Sequence, residues 1–440
     1  MTISAVQVPR ARLIVVGLAV VVAAAILWLS RGYTFYFDEW DFIQAAPDWS
    51  WTYYLQPHNE HPSILFKLIY ATLLNTVGLR SYVPYMAVLL ALHAANAVLM
   101  FELVRRRAGD LLGIAAAAAL LVLGAGWEDI LWAFQLAWLA SVACGLAMLL
   151  TLQGRSTLRL AATVALATAS LMFSGIGFVF AAVAVVHIAA TPERRRDLRW
   201  FLPLGIALGV WYVAFGHSGT AVPATGGFNL LMLPAYVGWG LAGSASAVIG
   251  VTGPPALAVL VLAAGAIGFA WWQRRPDPLA LSLVAGLVTF YLLIGFSRAQ
   301  MGYQQSASGR YVYIGAVFWL ILLADAARVL PWKGTLRPAL AACLFLACFN
   351  SGVVLVLYAT AKDAQMHREI ADLQALAAER SDPCLNPGAS VDPLVMPQVG
   401  SPAVYYRATD RYGDPAADAP VVDRADYQTA IRNLVLPGCK

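Results

Sequence analysis

RARLIVVGLAVVVAAAILWLSRGYTFYFDEWD, residues 10–41, joins a basic start at Arg10 and Arg12, an apolar run from Leu13 to Ser30, and an acidic aromatic stretch from Tyr36 to Asp41. An apolar run of this length matches the roughly 30 Å of bilayer hydrocarbon at about 1.5 Å per helical residue. A secretory signal peptide starts in the same way, but its apolar core is shorter and a small-x-small cleavage site follows it. No such site follows Ser30, so the run is expected to stay as a first membrane span. The whole chain agrees. Of its 440 residues 60% are apolar and 12% charged, more apolar surface than a soluble fold of this size can hide. The net charge of +5 therefore does not point to nucleic acid, and the partner it implies is the lipid bilayer.

Further spans are expected at 83–103, 111–126, 131–151, 158–173, 175–190, 199–215, 254–272, 279–296, 311–329 and 337–359, giving about eleven transmembrane helices in an all-α, polytopic fold. Placing span ends in alternation puts sixteen basic residues on one face. They are Arg10, Arg12, Arg105, Arg106, Arg107, Arg155, Arg159, Arg194, Arg195, Arg196, Arg199, Arg274, Arg275, Arg328, Lys333 and Arg337. The opposite loops hold Arg31, Lys67, Arg80, Arg298 and Arg310. The positive-inside rule then makes the first face cytoplasmic, with the N-terminus inside and the C-terminus outside a multi-pass cytoplasmic membrane protein. Two stretches are expected to lie on, or dip into, the outer interface. One is within the long first outer loop, 31–82, which carries an amphipathic segment from Pro62 to Val77. The other is 229–250, apolar but broken by Pro234 and several glycines. Residues 1–360 thus form the membrane domain. Residues 361–440 form a small polar, Pro-rich extracytoplasmic region, with a helix at 362–380 (Met366, Ile370, Leu373 and Leu376 on one face), that packs on the outer loops. Cys144, Cys343 and Cys348 fall inside spans. Cys384 and Cys439 fall in the exported region, where oxidising conditions favour a disulfide between them.

The chemistry gathers on the outer face. Asp38, Glu39 and Asp41 sit just past the first span, and Glu128 and Asp129 follow Trp127 at another boundary. A carboxylate at that depth is costly unless it is paired, hydrated or bound to a cation. Helix capping explains Asp48; three acids in four positions at 38–41 point instead to a site. Pro57-His58-Asn59-Glu60-His61-Pro62 offers ligands for a divalent metal, which Asp38 would complete with His58, Glu60 and His61. The same groups also suit a sugar or phosphate, or plain helix capping. His93 and His187, inside spans, are expected to be core residues. Ser297-Arg298, Tyr303 to Ser308, and Gly309-Arg310-Tyr311 place two arginines against the positive-inside trend. Arg310, and Arg298 unless it merely snorkels, present forked donors suited to a phosphate at headgroup level.

One span, then a long outer loop opening on an acidic pair, then many further spans resembles the C-type (GT-C) glycosyltransferase superfamily, to which the protein O-mannosyltransferases and lipid A aminoarabinose transferases belong. Phe37-Asp38-Glu39-Trp40-Asp41, His58-Asn59-Glu60-His61 and Trp127-Glu128-Asp129-Ile130-Leu131-Trp132 are similar to poorly characterised bacterial members. The resemblance implies Asp38 or Glu39 as catalytic carboxylate and a polyprenyl-phosphate sugar as donor. The acceptor would be a hydroxyl on a glycan, lipid or protein that attacks the donor's anomeric carbon outside the membrane, in one inverting displacement. The chemistry of the residues themselves adds Asp41, His58, Glu60, His61, Arg298, Arg310 and Tyr311 as expected substrate contacts, and Glu128 and Asp129 as ligands of either the acceptor hydroxyls or a metal. Two other classes compete. A transporter or flippase for lipid-linked sugars would carry ionisable groups at mid-membrane, where Gln135 and Asn350 are the main polar residues here. A lipid-linked glycan polymerase or ligase would centre on arginines in late outer loops, whereas the acids here lie in an early one.

Overall fold

The apolar runs become helices because a backbone in hydrocarbon must satisfy its own hydrogen bonds. In the computed structural model, which describes residues 7–59, 61–219, 226–330, 336–416 and 423–439, every extended element among those residues is helical. Among the described residues the only β contacts are isolated bridges, His58 with His61 and Leu385 with Val435. The first span is α1, Ala11–Leu29. The long loop after it carries α2, Asp38–Ala45, α3, Trp51–Leu55, and α4, Ile64–Thr76. Then follow α5, Val83–Ala108, α6, Asp110–Leu121, α7, Trp127–Leu131, and α8, Leu136–Leu152. The bundle continues with α9, Thr157–Phe173, α10, Ile176–Ala189, α11, Leu202–Ala214, α12, Gly226–Ala247, α13, Ala256–Gln273, α14, Pro278–Arg298, and α15, Gly309–Ala326. The chain closes with α16, Leu336–Glu379, α17, Pro402–Tyr412, and α18, Arg424–Leu434.

Eight described helices are long and apolar enough to cross a membrane, nine if α6 and α7, bent by 45° at their junction, count as one span. The protein is thus a multi-pass membrane protein, and it differs from the eleven full spans expected in identifiable ways. The 111–126 segment breaks after Leu121, where the Gly124 amide donates to Ser351 Oγ of α16 at 3.0 Å. The 158–173 and 175–190 segments fold nearly at the expected bounds but have 17 and 14 residues, short of full crossing length. In 199–215 the charged run Pro192–Phe201 winds as a 3-10 helix and only 13 residues of α-helix follow from Leu202, with Pro203 in the first turn, where its ring disfavours helix upstream. Residues 229–250, expected to be broken at Pro234 and to lie at the outer interface, fall largely within the continuous 22-residue α12, one of the eight helices long and apolar enough to cross, since neighbouring helices let membrane helices tolerate an internal proline.

α15 is the axis of the bundle, with 78% of its apolar window buried, against 17% for α1 and 11% for α16. Gly315 makes the central crossing possible, because a side chain there would collide with Ser244 of α12 and the Tyr291 hydroxyl of α14. Close backbone approach through small residues is the usual basis of helix packing in lipid. The outward faces of α1, α13 and α16 leave Val20, Val21, Leu262, Trp272, Phe345 and Leu346 exposed, an apolar surface that only a bilayer solvates well.

The basic clusters meet at one end. Asp325 accepts from Arg107 at 2.9 Å, Arg274 at 3.0 Å and Arg328 at 3.0 Å, joining the ends of α5, α13 and α15, and Arg107 also holds Asp277 before α14 at 2.9 Å. Arg105 pairs with Asp110 at 3.0 Å. The loop helices and the C-terminal region lie at the other end. There α16 continues without a break across residue 360, so the helix expected at 362–380 is the outer part of one 44-residue helix, about 66 Å long. The C-terminal region packs on the first loop: Tyr405 lies 5.4 Å from Trp40, the Leu79 amide donates to Tyr412 O at 2.8 Å, and Arg407 pairs with Asp48 at 2.9 Å. Cys384 and Cys439 form a disulfide with Cα atoms 5.9 Å apart. Maleimide labelling of native protein in detergent should therefore leave both thiols unmodified until a reductant is added. Labelling of either cysteine without reductant would rule the bridge out.

Candidate functional site

The acidic stretch turns on Phe37, whose backbone stands at φ 55°, ψ −134°. A bulky residue with positive φ is held there by its surroundings at a cost of about 1–3 kcal/mol, and such strain concentrates at functional sites. The turn starts α2 at Asp38 and sends the two adjacent acids in different directions. Glu39 is fully buried. It accepts from the Tyr36 amide at 3.1 Å, the Tyr70 hydroxyl at 3.0 Å and the Tyr82 hydroxyl at 3.1 Å. Burial pushes its carboxyl up to about 8, although those donors and the Lys362 ammonium pull the other way. Asp38 is half-buried and lines a cavity. Burial raises its pKa, while the positive charges of Arg310 and Arg298 hold it back. Asp41, more exposed, is pushed up to about 6 by partial burial and by the Asp38 charge.

That cavity, of about 760 Å³, brings together most of the residues expected from sequence: Asp38, His58, His61, Arg298, Arg310 and Tyr311. The histidines come from a tight turn in which His58 and His61 exchange two backbone hydrogen bonds of 3.0 Å, with Asn59 at φ 50°; Glu60 lies outside the described residues. The His58 ring packs 4.7 Å from Phe42 and 5.5 Å from Phe134, and His61 meets Trp138 edge-on at 6.2 Å. The His61 ring also lies against Gly175, where any side chain would displace it. Among the described residues no three His, Cys, Asp or Glu side chains gather as metal ligands.

Arg310 starts the second turn of contacts. Its Nε donates to Glu128 Oε2 at 2.8 Å, and its guanidinium stands 5.9 Å from the Trp132 ring centroid. Glu128 thus meets the cavity through Arg310. Asp129 is fully buried, lines no part of the cavity, and neither of its oxygens has a hydrogen-bond partner among the described residues. Tyr311 stacks on Trp138 at 5.8 Å.

The far wall is apolar, formed by Phe134, Trp138, Phe178, Phe290 and Leu293 among others. Its rim residues Phe178, Leu293, Phe296 and Met301 are 39–62% exposed, so this side opens where lipid would lie. None of these residues stood out in the sequence, because an apolar side chain inside a span looks the same whether it faces a cavity or a lipid. Lys362, buried beneath Tyr36, was also missed. It reads as an ordinary tail lysine, and only the continuation of α16 carries it under the acidic turn. Comparison with family models, with curated proteins and with solved structures finds no match for the chain.

The raised carboxyl of Glu39 has a signed consequence for stability. Its folded value of about 8 lies above the unfolded value of 4.5, so its contribution is complete below about 4.5 and is lost as the pH rises through about 8. Thermal unfolding in detergent should show Glu39→Gln folded, with a melting temperature that falls less than the wild type's between about pH 5 and pH 8.5. Equal pH slopes would show that Glu39 is not held as the neutral acid.

Proposed function

We propose that this protein is a membrane glycosyltransferase of the C-type architecture. It would move a sugar from a polyprenyl-phosphate donor to an acceptor hydroxyl on the extracytoplasmic face. The observation that carries the proposal is one cavity with a carboxylate, Asp38, and two arginines, Arg298 and Arg310, at its polar end, and an apolar wall open toward lipid. A prenyl chain suits the apolar side and a phosphate suits the forked donors of arginine.

In this account the acceptor hydroxyl attacks the anomeric carbon of the donor. The bond from that carbon to the phosphate oxygen breaks, and Asp38 takes the hydroxyl proton. The lipid phosphate leaves with the bonding electrons, stabilised by Arg310 and Arg298, so no second acid is required. One displacement inverts the anomeric configuration, unlike a hydrolase that works with paired carboxyl groups. Asp38 is preferred to Glu39 as base because Asp38 faces the cavity while Glu39 is sealed behind three donors. His58 and His61 would contact sugar or phosphate. Among the described residues, which leave out Glu60, they form no three-ligand set.

The basic end of the bundle would face the cytoplasm and the site end the exterior, as the positive-inside rule requires. With α12 not counted as a traverse, the short helices α9, α10 and α11 would then complete eleven. α12 would be a tilted helix that starts and ends toward the site side. Asn229, near its start, donates to Phe296 O at 2.9 Å, and Asn350 of α16 donates to Gly250 O, just past its end, at 3.1 Å. A lipid-linked glycan polymerase or ligase is the second reading, favoured by the two arginines of one late loop that line the same cavity.

A transfer assay with purified protein and a panel of polyprenyl-phosphate sugars tests the proposal. Asp38→Asn should cut turnover by about 10²–10⁴-fold with normal folding and donor binding, and Arg310→Ala should weaken donor binding by roughly ten- to a hundredfold. Turnover that survives Asp38→Asn would remove the base assignment. Turnover only with diphosphate-linked glycans would favour the polymerase or ligase.

A further inference from the structure

Lys362 is 4% exposed, a costly position for an ammonium group. Its only hydrogen-bond partner among the described residues is Gln365 Oε1, at 3.0 Å. Its Nζ sits 3.2 Å from the centroid of the Tyr36 ring, closer than a typical cation–π contact. The charges of Glu369, Glu39 and Glu128 act on it through space. Gln365 in turn donates to Glu369 Oε1 at 3.3 Å, so the ammonium is held from below by successive turns of α16.

What it holds is the turn that directs Asp38. The Tyr36 ring lies 5.0 Å from Trp132, the ring near the Arg310 guanidinium. The Tyr36 amide donates to Glu39 Oε2. The next residue is Phe37, with its positive φ, and then comes Asp38. The Tyr33 hydroxyl donates to Ala359 O at 2.8 Å, so α16 grips the 33–38 segment at two points one helical turn apart. Such a conformation persists only where its surroundings over-determine it.

We infer that Lys362 is a positioning residue: on the ring face of Tyr36, it fixes the Tyr36–Phe37 turn that aims Asp38 into the cavity, and so couples the C-terminal region to the catalytic carboxylate. The coupling to catalysis rests on the glycosyltransferase reading; the coupling to the turn does not. Arginine keeps the charge and stacks on aromatic faces, whereas methionine keeps only the length. Likewise Tyr36→Phe keeps the ring face and Tyr36→Leu removes it.

The test combines hydrogen exchange of the full-length protein in detergent with single-turnover and steady-state transfer. Lys362→Met and Tyr36→Leu should each speed amide exchange across residues 36–41 by about tenfold, with the bundle helices unchanged. They should lower kcat by at least about tenfold while the donor KM stays within about twofold. Lys362→Arg and Tyr36→Phe should restore both readouts. Should Lys362→Met fail to fold, Gln365→Ala, which removes the ammonium's partner, should give the same local exchange. Unchanged exchange at 36–41 in Lys362→Met or Gln365→Ala overturns the proposal whether or not the wild type turns over. Faster exchange at 36–41 in a protein that transfers no sugar from any donor upholds the turn coupling and overturns its catalytic half.

Discussion

The buried carboxyl of Glu39 is the constraint around which the site is arranged. A carboxyl group with no exposure survives only if its oxygens are satisfied, and here the donors come from three places in the chain: Tyr36 beside it, Tyr70 on α4 and Tyr82 at the start of α5. Satisfying Glu39 therefore fixes the first loop onto the bundle. Tyr82 extends the tie, because its oxygen accepts from the Ala133 amide at 2.9 Å, next to the Phe134 and Gln135 that line the cavity. The strained turn at Phe37 follows from this arrangement, since one neighbour of the motif must point inward while Asp38 points to the cavity.

Around that anchor the charges divide by end. Acids and arginines at the loop end meet across a cavity; at the other end Asp325 pairs with Arg107, Arg274 and Arg328, and Glu102 and Asp110 pair with Arg12 and Arg105. Glu128 holds the Arg310 guanidinium at 2.8 Å, so an incoming phosphate would meet a donor that is already oriented, which is the kind of preorganisation that transfer chemistry exploits.

Much of this was legible in the sequence, for physical reasons. Charges avoid hydrocarbon, so the arginine clusters marked the helix ends and the bounds of α9 and α10 fell within a residue of expectation. Arg298, Arg310, His58 and His61 reached the cavity because ionisable groups at that depth need a purpose. Other features were hidden. Asp38 and Glu39 are adjacent and chemically alike, and only Tyr70 and Tyr82, 31 and 43 residues away, decide which one is buried. The composition shift near residue 361 marks where α16 leaves the apolar layer, while its backbone continues and brings Lys362 beneath Tyr36. Pro234 looked like a break, yet α12 runs through it, because a proline's missing donor is tolerated among packed neighbours.

A glycosyltransferase of the proposed kind would hold a prenyl phosphate in the cavity. Photocrosslinking with a polyprenyl phosphate that carries a diazirine on the isoprene unit nearest the phosphate measures this directly. Peptides containing Phe178, Leu293, Phe296 and Met301 should take the label, and excess unlabelled polyprenyl phosphate should compete it away. Label spread along the lipid-facing sides of α1 and α16, insensitive to competitor, would contradict the account.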